Sequence, residues 1–115
     1  MPQPRRGEIY AVNFARTEGA RISKTRPAVV VQNDIGNRYA PHTIVVAIRR
    51  AEGKGTLPVF VLLPQGTAGL TKQSLIDCGH ITTVATDQLG KRLGILPPEL
   101  IHQLNTALKR SLDLP

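Results

Sequence analysis

Short apolar runs separated by Gly-, Pro- and Asn-containing stretches recur along the first 97 residues, and the period changes after them. Glu8-Ile9-Tyr10-Ala11-Val12-Asn13-Phe14 alternates well enough to predict a first strand, with Ile9, Ala11 and Phe14 on its apolar side. Residues 15–25 carry Gly19, Ser23 and three cations with no period, which predicts a loop long enough to be functional. Ala28–Val31 is a β-branched run between Pro27 and Asn33-Asp34 and predicts a second strand over 28–32. Proline has no donor for a central ladder, so Pro27 is expected at that strand's first position. Its ring also crowds Arg26 out of the helical region. One guanidinium is therefore expected in a stiff place, where a polar loop enters the core.

Asp34–Arg38 and Ala40-Pro41 read as turn chemistry. Thr43–Ile48 is almost continuously apolar and predicts a third strand buried on both faces, ending in Arg49-Arg50. Glu52–Gly55 reads as a turn, Leu57–Leu63 as a fourth strand, and Pro64–Lys72, with Gly66 and Gly69, as a further loop. Ser74–Cys78 and His80–Val84 read as one bent strand, or two, hinged at Gly79. Thr86-Asp87-Gln88 predicts a helical turn and Arg92–Leu96 a last strand. From Pro98, Leu100, Ile101, Leu104, Leu108 and Leu112 share one helix face, with Glu99 in the first turn and Lys109-Arg110 in the last. The sum is a mainly β chain with a C-terminal helix, a small antiparallel barrel forming a single domain over 1–115.

The charge changes this picture. The formal net charge is +7 and the pI about 10.3, and residues 1–55 carry ten Lys/Arg against four acids while 56–115 carry five against four. One basic half implies a face that meets polyanions. Aromatics are only 3 % of the chain, which argues against an RNA reader built on stacking platforms. The apolar runs are too short to span a membrane, and Cys78 stands alone, so the expectations are a cytoplasmic location, no membrane and no disulfide framework. His42, His80 and His102 are far apart and no metal-ligand spacing occurs, so neither a metal nor another cofactor is expected. No Gly-rich strand-to-helix turn is present for a nucleotide. A Ser74-His80-Asp87 triad can be written on paper, with nothing local to support it.

What remains is a set of cations and hydroxyls at strand ends: Arg21, Ser23, Lys24, Thr25, Arg26, Arg49, Thr71, Lys72, Ser74 and His80. That set suits cleavage of RNA, which carries its own nucleophile in the 2′-hydroxyl. The enzyme must take one proton, give one, and stabilise charge on phosphorus. A fixed guanidinium matches phosphate oxygens, and histidine, with an ordinary pKa near neutrality, can move protons.

The residues also resemble a known family. Arg6-Gly7-Glu8-Ile9-Tyr10 with Val12-Asn13-Phe14, Arg26-Pro27-Ala28-Val29-Val30-Val31 with Asn33-Asp34, Arg38–Pro41 with Ile44–Ile48, and Leu70–Ser74 with Ile81–Val84 resemble, in order, the segments of the MazF/PemK (Kid) endoribonuclease toxins of type II toxin–antitoxin systems. The resemblance implies an SH3-like barrel related to the CcdB fold and a homodimer. It also implies metal-independent cleavage of single-stranded RNA at short motifs, leaving a 2′,3′-cyclic phosphate. A cognate MazE-like antitoxin would cover the same groove with an acidic tail. It makes Arg26 catalytic. Three positions depart from the family: Gly19-Ala20-Arg21-Ile22 in the loop, Arg49 in place of a catalytic Thr or Ser, and Gly79-His80 in place of an acidic-Gln pair. Arg49 then reads as a second phosphate clamp and His80 as the replacement proton carrier. Arg21, Ser23, Lys24, Thr25, Arg50, Lys54, Thr71, Lys72 and Ser74 complete the expected RNA-binding set. Two other readings stay open: a module of the same fold that grips nucleic acid without cutting, and a gyrase-poisoning toxin of the CcdB kind.

Overall fold

A computed structural model describes residues 3–16, 25–51 and 55–115. Six strands form one antiparallel sheet in the order β4-β5-β3-β2-β1-β6, with β1 Glu8–Asn13, β2 Thr25–Val30, β3 His42–Arg50, β4 Phe60–Leu63, β5 Ser74–Ala85 and β6 Leu89–Ile95. Helix α1 spans Asp34–Tyr39 and helix α2 Pro98–Leu112. The sheet is barrel-like but does not close: β4 and β6 are its two edges.

Both faces of the central strands are buried, which is why their sequences read as runs rather than as alternations. Ile9, Val29 and Val46 line up across β1, β2 and β3 on the face covered by α2. Tyr10, Val12, Ala28, Val30 and Val45 occupy the other face with Phe14, Val84 and Leu89. The alternation expected in β1 is thus corrected: Tyr10 and Val12 are buried and Ala11 only half-buried. At its start, Glu8 accepts from the Arg5 amide and the Tyr10 hydroxyl and pairs with Arg92 of β6. Burial, with the Glu8 charge adding to it, holds the Tyr10 hydroxyl above its ordinary pKa.

Several expected boundaries move. Asp34–Arg38, read as turn chemistry, form with Tyr39 a short helix because Asn33 caps it, its Oδ1 accepting from the Gly36 amide at 2.8 Å. The fourth strand begins at Phe60 rather than Leu57, after Pro58, and the last begins at Leu89 rather than Arg92. On α2, Leu100 and Leu104 of the expected face are buried, together with Ala107, while Ile101 and Leu108 are half-buried and Leu112 lies 54 % exposed at the helix end.

Strand β2 starts at Thr25, so Pro27 is its third residue and not its first. Asn13↔Thr25, Val12↔Arg26 and Ala11↔Pro27 pair β2 with β1, while pairing with β3 begins only at Ala28↔Ala47. Val31 donates its amide to Ile44 of β3, and alternation puts the amide positions of residues 29 and 27 on that same side. Pro27 has no hydrogen there, and the β2–β3 ladder ends beside it. Among the described residues, Arg26 therefore sits on a segment paired with β1 alone.

Strand β5 is the bent strand expected around Gly79. Its pairing to β3 advances from Val46↔Ile81 to Ile48↔Ile76, two steps in β3 against five in β5. The surplus residues, around Asp77 to His80, form a wide bulge. It keeps contact with β4 through Phe60↔Asp77 and the Cys78 amide on the Val59 carbonyl, and with α2 through the Ser111 hydroxyl on the Cys78 carbonyl.

Candidate nucleic-acid interface

The end of the β2–β3 ladder opens a cleft of about 200 Å³ lined by Arg26, Pro27, Ile48, Arg49, Arg50, Leu70, Thr71, Lys72 and Ser74. Three elements build it. The first residues of β2 bring Arg26, the last residues of β3 bring Arg49 and Arg50, and the loop before β5 brings Thr71 and Lys72. Pro27, Ile48 and Leu70 give it an apolar wall.

That loop is positioned by backbone contact. Gly69, with φ +82°, lies against the Leu93 carbonyl, and Gly94 lies against the Ala68 carbonyl, so a methyl group at either glycine would collide with backbone. The loop is thereby seated on β6, and the Ser74 hydroxyl closes its end by donating to the Lys72 carbonyl at 2.9 Å.

The structure thus brings together Arg26, Arg49, Arg50, Thr71, Lys72 and Ser74 from the expected set. Thr25 starts β2 opposite Asn13, next to Arg26 but outside the lining. Arg21, Ser23, Lys24 and Lys54 lie outside the described residues. Four cations on one small cleft make a strong local positive potential, which suits a polyanion.

His80 lies on the bulge and does not line the cleft; it is linked to Arg49 through Asp77. Its Nε2 is 3.5 Å from Asp77 Oδ2, the same oxygen that accepts from Arg49 Nη1 at 3.2 Å. Asp77 itself is only 5 % exposed, and its Oδ1 accepts from the Gly79 amide at 2.9 Å. Asp77 has no place in the set expected from sequence, although a signal for it exists. A carboxylate in Leu75-Ile76-Asp77-Cys78 is an acid inside an apolar strand, and a buried charge needs partners. Among the described residues, no three His, Cys, Asp or Glu side chains come together in a way that could hold a metal ion. No described helix is long and apolar enough to cross a membrane.

The pattern that defines PemK-like, MazF-like toxins of type II toxin–antitoxin systems matches residues 5–112. The chain belongs to this toxin family. It is 33 % identical over 110 residues to the endoribonuclease MazF of Staphylococcus saprophyticus, covering 96 % of this chain and 92 % of that one. Among solved structures, an endoribonuclease from a mycobacterial species superposes with a TM-score of 0.81 at 26 % identity, over 100 % of this chain and 96 % of the other. A second structure, an endoribonuclease in complex with its cognate antitoxin from a mycobacterial species, matches with a TM-score of 0.80 at 27 % identity, over 97 % of both chains. The PemK/MazF fold therefore carries the cationic cleft described above.

Proposed function

We propose that this toxin is an endoribonuclease that cleaves single-stranded RNA by attack of the 2′-hydroxyl on the adjacent phosphorus. The 2′-O–P bond forms and the P–O5′ bond breaks, leaving a 2′,3′-cyclic phosphate and a 5′-hydroxyl. The attacking hydroxyl loses a proton and the leaving oxygen gains one. No metal enters this scheme, because substrate supplies the nucleophile. Arg26 stabilises the charge that grows on the phosphoryl oxygens, and Arg49 is the second clamp. His80 carries a proton, and Arg50, Thr71 and Lys72 hold the flanking backbone.

The observation that carries this reading is the placement of Arg26: a guanidinium on an extended segment, beside a proline that ends the ladder, facing a cleft with Arg49, Arg50 and Lys72. Family membership and the nuclease names of its relatives support it. The same basic cleft is the natural seat for an acidic segment of a cognate antitoxin, and a structural neighbour is a complex of that kind. The working assembly in this reading is a homodimer.

The test is incubation of purified protein with a long single-stranded RNA in excess EDTA, wild type beside Arg26→Ala. Discrete fragments with cyclic-phosphate ends are expected from the wild type, and a rate lower by on the order of 10²–10³ from the variant, the usual loss when one transition-state donor is removed. RNA left intact but shifted in a gel would establish the non-cutting binder instead. Neither cutting nor binding would overturn both RNA readings and favour a protein target.

A further inference from the structure

The geometry points to Asp77 as a positioning residue that fixes Arg49 at the cleft and couples it to His80. The inference rests on the reading of Arg49 as a phosphate clamp. Three features carry it. A carboxylate that is 5 % exposed is expensive to bury unless its oxygens are occupied. Here one oxygen is taken by the Gly79 amide, while the other faces Arg49 Nη1 at 3.2 Å and His80 Nε2 at 3.5 Å. The Arg49 side chain is 41 % exposed and that of His80 39 % exposed. Each is anchored on the protein side and open on the other.

The bulge is the device that makes this possible. In regular pairing Asp77 and His80 would fall on opposite faces of β5, because side chains alternate along a strand. The surplus residues in β5 bring both toward the end of β3. Gly79 permits it: a methyl group there would sit 3.1 Å from Asp77 Oδ1, tight against the oxygen that its own amide binds. Asp77 thus joins Arg49 and His80 into one unit through a single carboxylate oxygen.

An arginine held on one edge by a carboxylate keeps its remaining N–H donors aimed in a fixed direction. It meets a phosphate already oriented and loses less side-chain entropy on binding. Removing Asp77 leaves Arg49 charged and present but unaimed. The expected result is loss of rate that depends on Arg49, with little loss of fold.

Asp77→Asn tests this, because the amide is the same size and can still accept from the Gly79 amide. Cleavage of a defined RNA is compared for wild type, Asp77→Asn, Arg49→Ala and the double variant, with thermal midpoints measured alongside. The expected outcome is a rate about tenfold lower for Asp77→Asn, no further loss when it is added to Arg49→Ala, and an unchanged thermal midpoint within a few degrees. Equal losses from Asp77→Asn with and without Arg49 would overturn the inference. A second readout needs no cleavage. The guanidinium NMR signals of Arg49 are expected to show hindered rotation in the wild type and averaging in Asp77→Asn. Averaged signals in both would sink the positioning role. Hindered rotation in a wild type that cuts no RNA would leave Asp77 in place and refute the nuclease reading instead.

Discussion

Residue by residue, the site is built from charges whose neighbours are chosen for them. Cys78 shows the contrast. It lies fully buried between Asp77 and Gly79, and burial, with the Asp77 charge adding to it, pushes its thiol from 9.0 up to about 11. The thiolate is the reactive form, so at pH 8 ionisation alone makes it about a hundredfold less reactive than an ordinary thiol of that reference value. A disulfide-exchange reagent is expected to leave the native protein unlabelled and to label it once denaturant unfolds it. Rapid labelling of the native state would show that the bulge opens readily. Arg26 is the opposite case, paired with Val12 on one side and lining the cleft where the β2–β3 ladder has ended. Its importance is legible in the chain itself, because Arg-Pro ahead of a β-branched run sets an extended arginine at a strand margin. Asp77 is legible only as an acid in an apolar strand that needs partners, and which partners it takes depends on the size of the register shift at the bend expected around Gly79.

At the scale of elements, strand positions follow from apolar runs, and the helix from its change of period. Ends and connections do not. Asp34–Arg38 look like a turn because Gly36 and Asn37 are poor helix formers, yet a capped amide and the Ala40 amide on the Gly36 carbonyl close the helix at both ends. Thr25 reads as loop, and the strand as starting only at Ala28, because nothing in the composition shows that β1 will pair with residues 25–27. The seating of the Gly66–Lys72 loop on β6 is likewise a long-range fact. It rests on two close approaches, Gly69 to the Leu93 carbonyl and Gly94 to the Ala68 carbonyl. Gly94→Ala is expected to lower stability by about 1–3 kcal/mol, the usual range for forcing a methyl group into a filled space. It should also displace Thr71 and Lys72 and weaken RNA binding, with the cleavage rate at saturating RNA much less affected. Unfolding in urea and a binding isotherm check the two halves separately, and an unchanged affinity in a destabilised variant would detach the loop from the site.

At the scale of the whole molecule, the open sheet gathers cations from β2, β3 and the loop before β5 into a single cleft, and the basic excess of residues 1–55 is what supplies most of them. Each phosphate neutralised on a single strand contributes about 0.7 to the slope of log affinity against log salt. Contacts by Arg26, Arg49, Arg50 and Lys72 together predict a slope of about −3 for a short uncleavable RNA. Arg50→Ala should reduce it by about 0.7 and lower affinity alike for all sequences. A slope near zero would move the cleft's partner away from nucleic acid. The charge asymmetry is visible in the sequence itself, whereas the grouping of three separate segments is expected there only through the family resemblance.

The bond from Ser111 to the Cys78 carbonyl has a temporal side. A chain emerging from the ribosome exposes Arg26, Arg49 and Asp77 long before residue 111, and until α2 docks the bulge lacks one of its two anchors. The last helix is therefore the final anchor to reach the bulge beside a site assembled from earlier strands. A nascent toxin stalled before α2 should possess every cleft residue named above and still cut RNA poorly, which spares the message that is making it. Comparing stalled chains ending before and after α2 for cleavage of added RNA would reveal that timing directly.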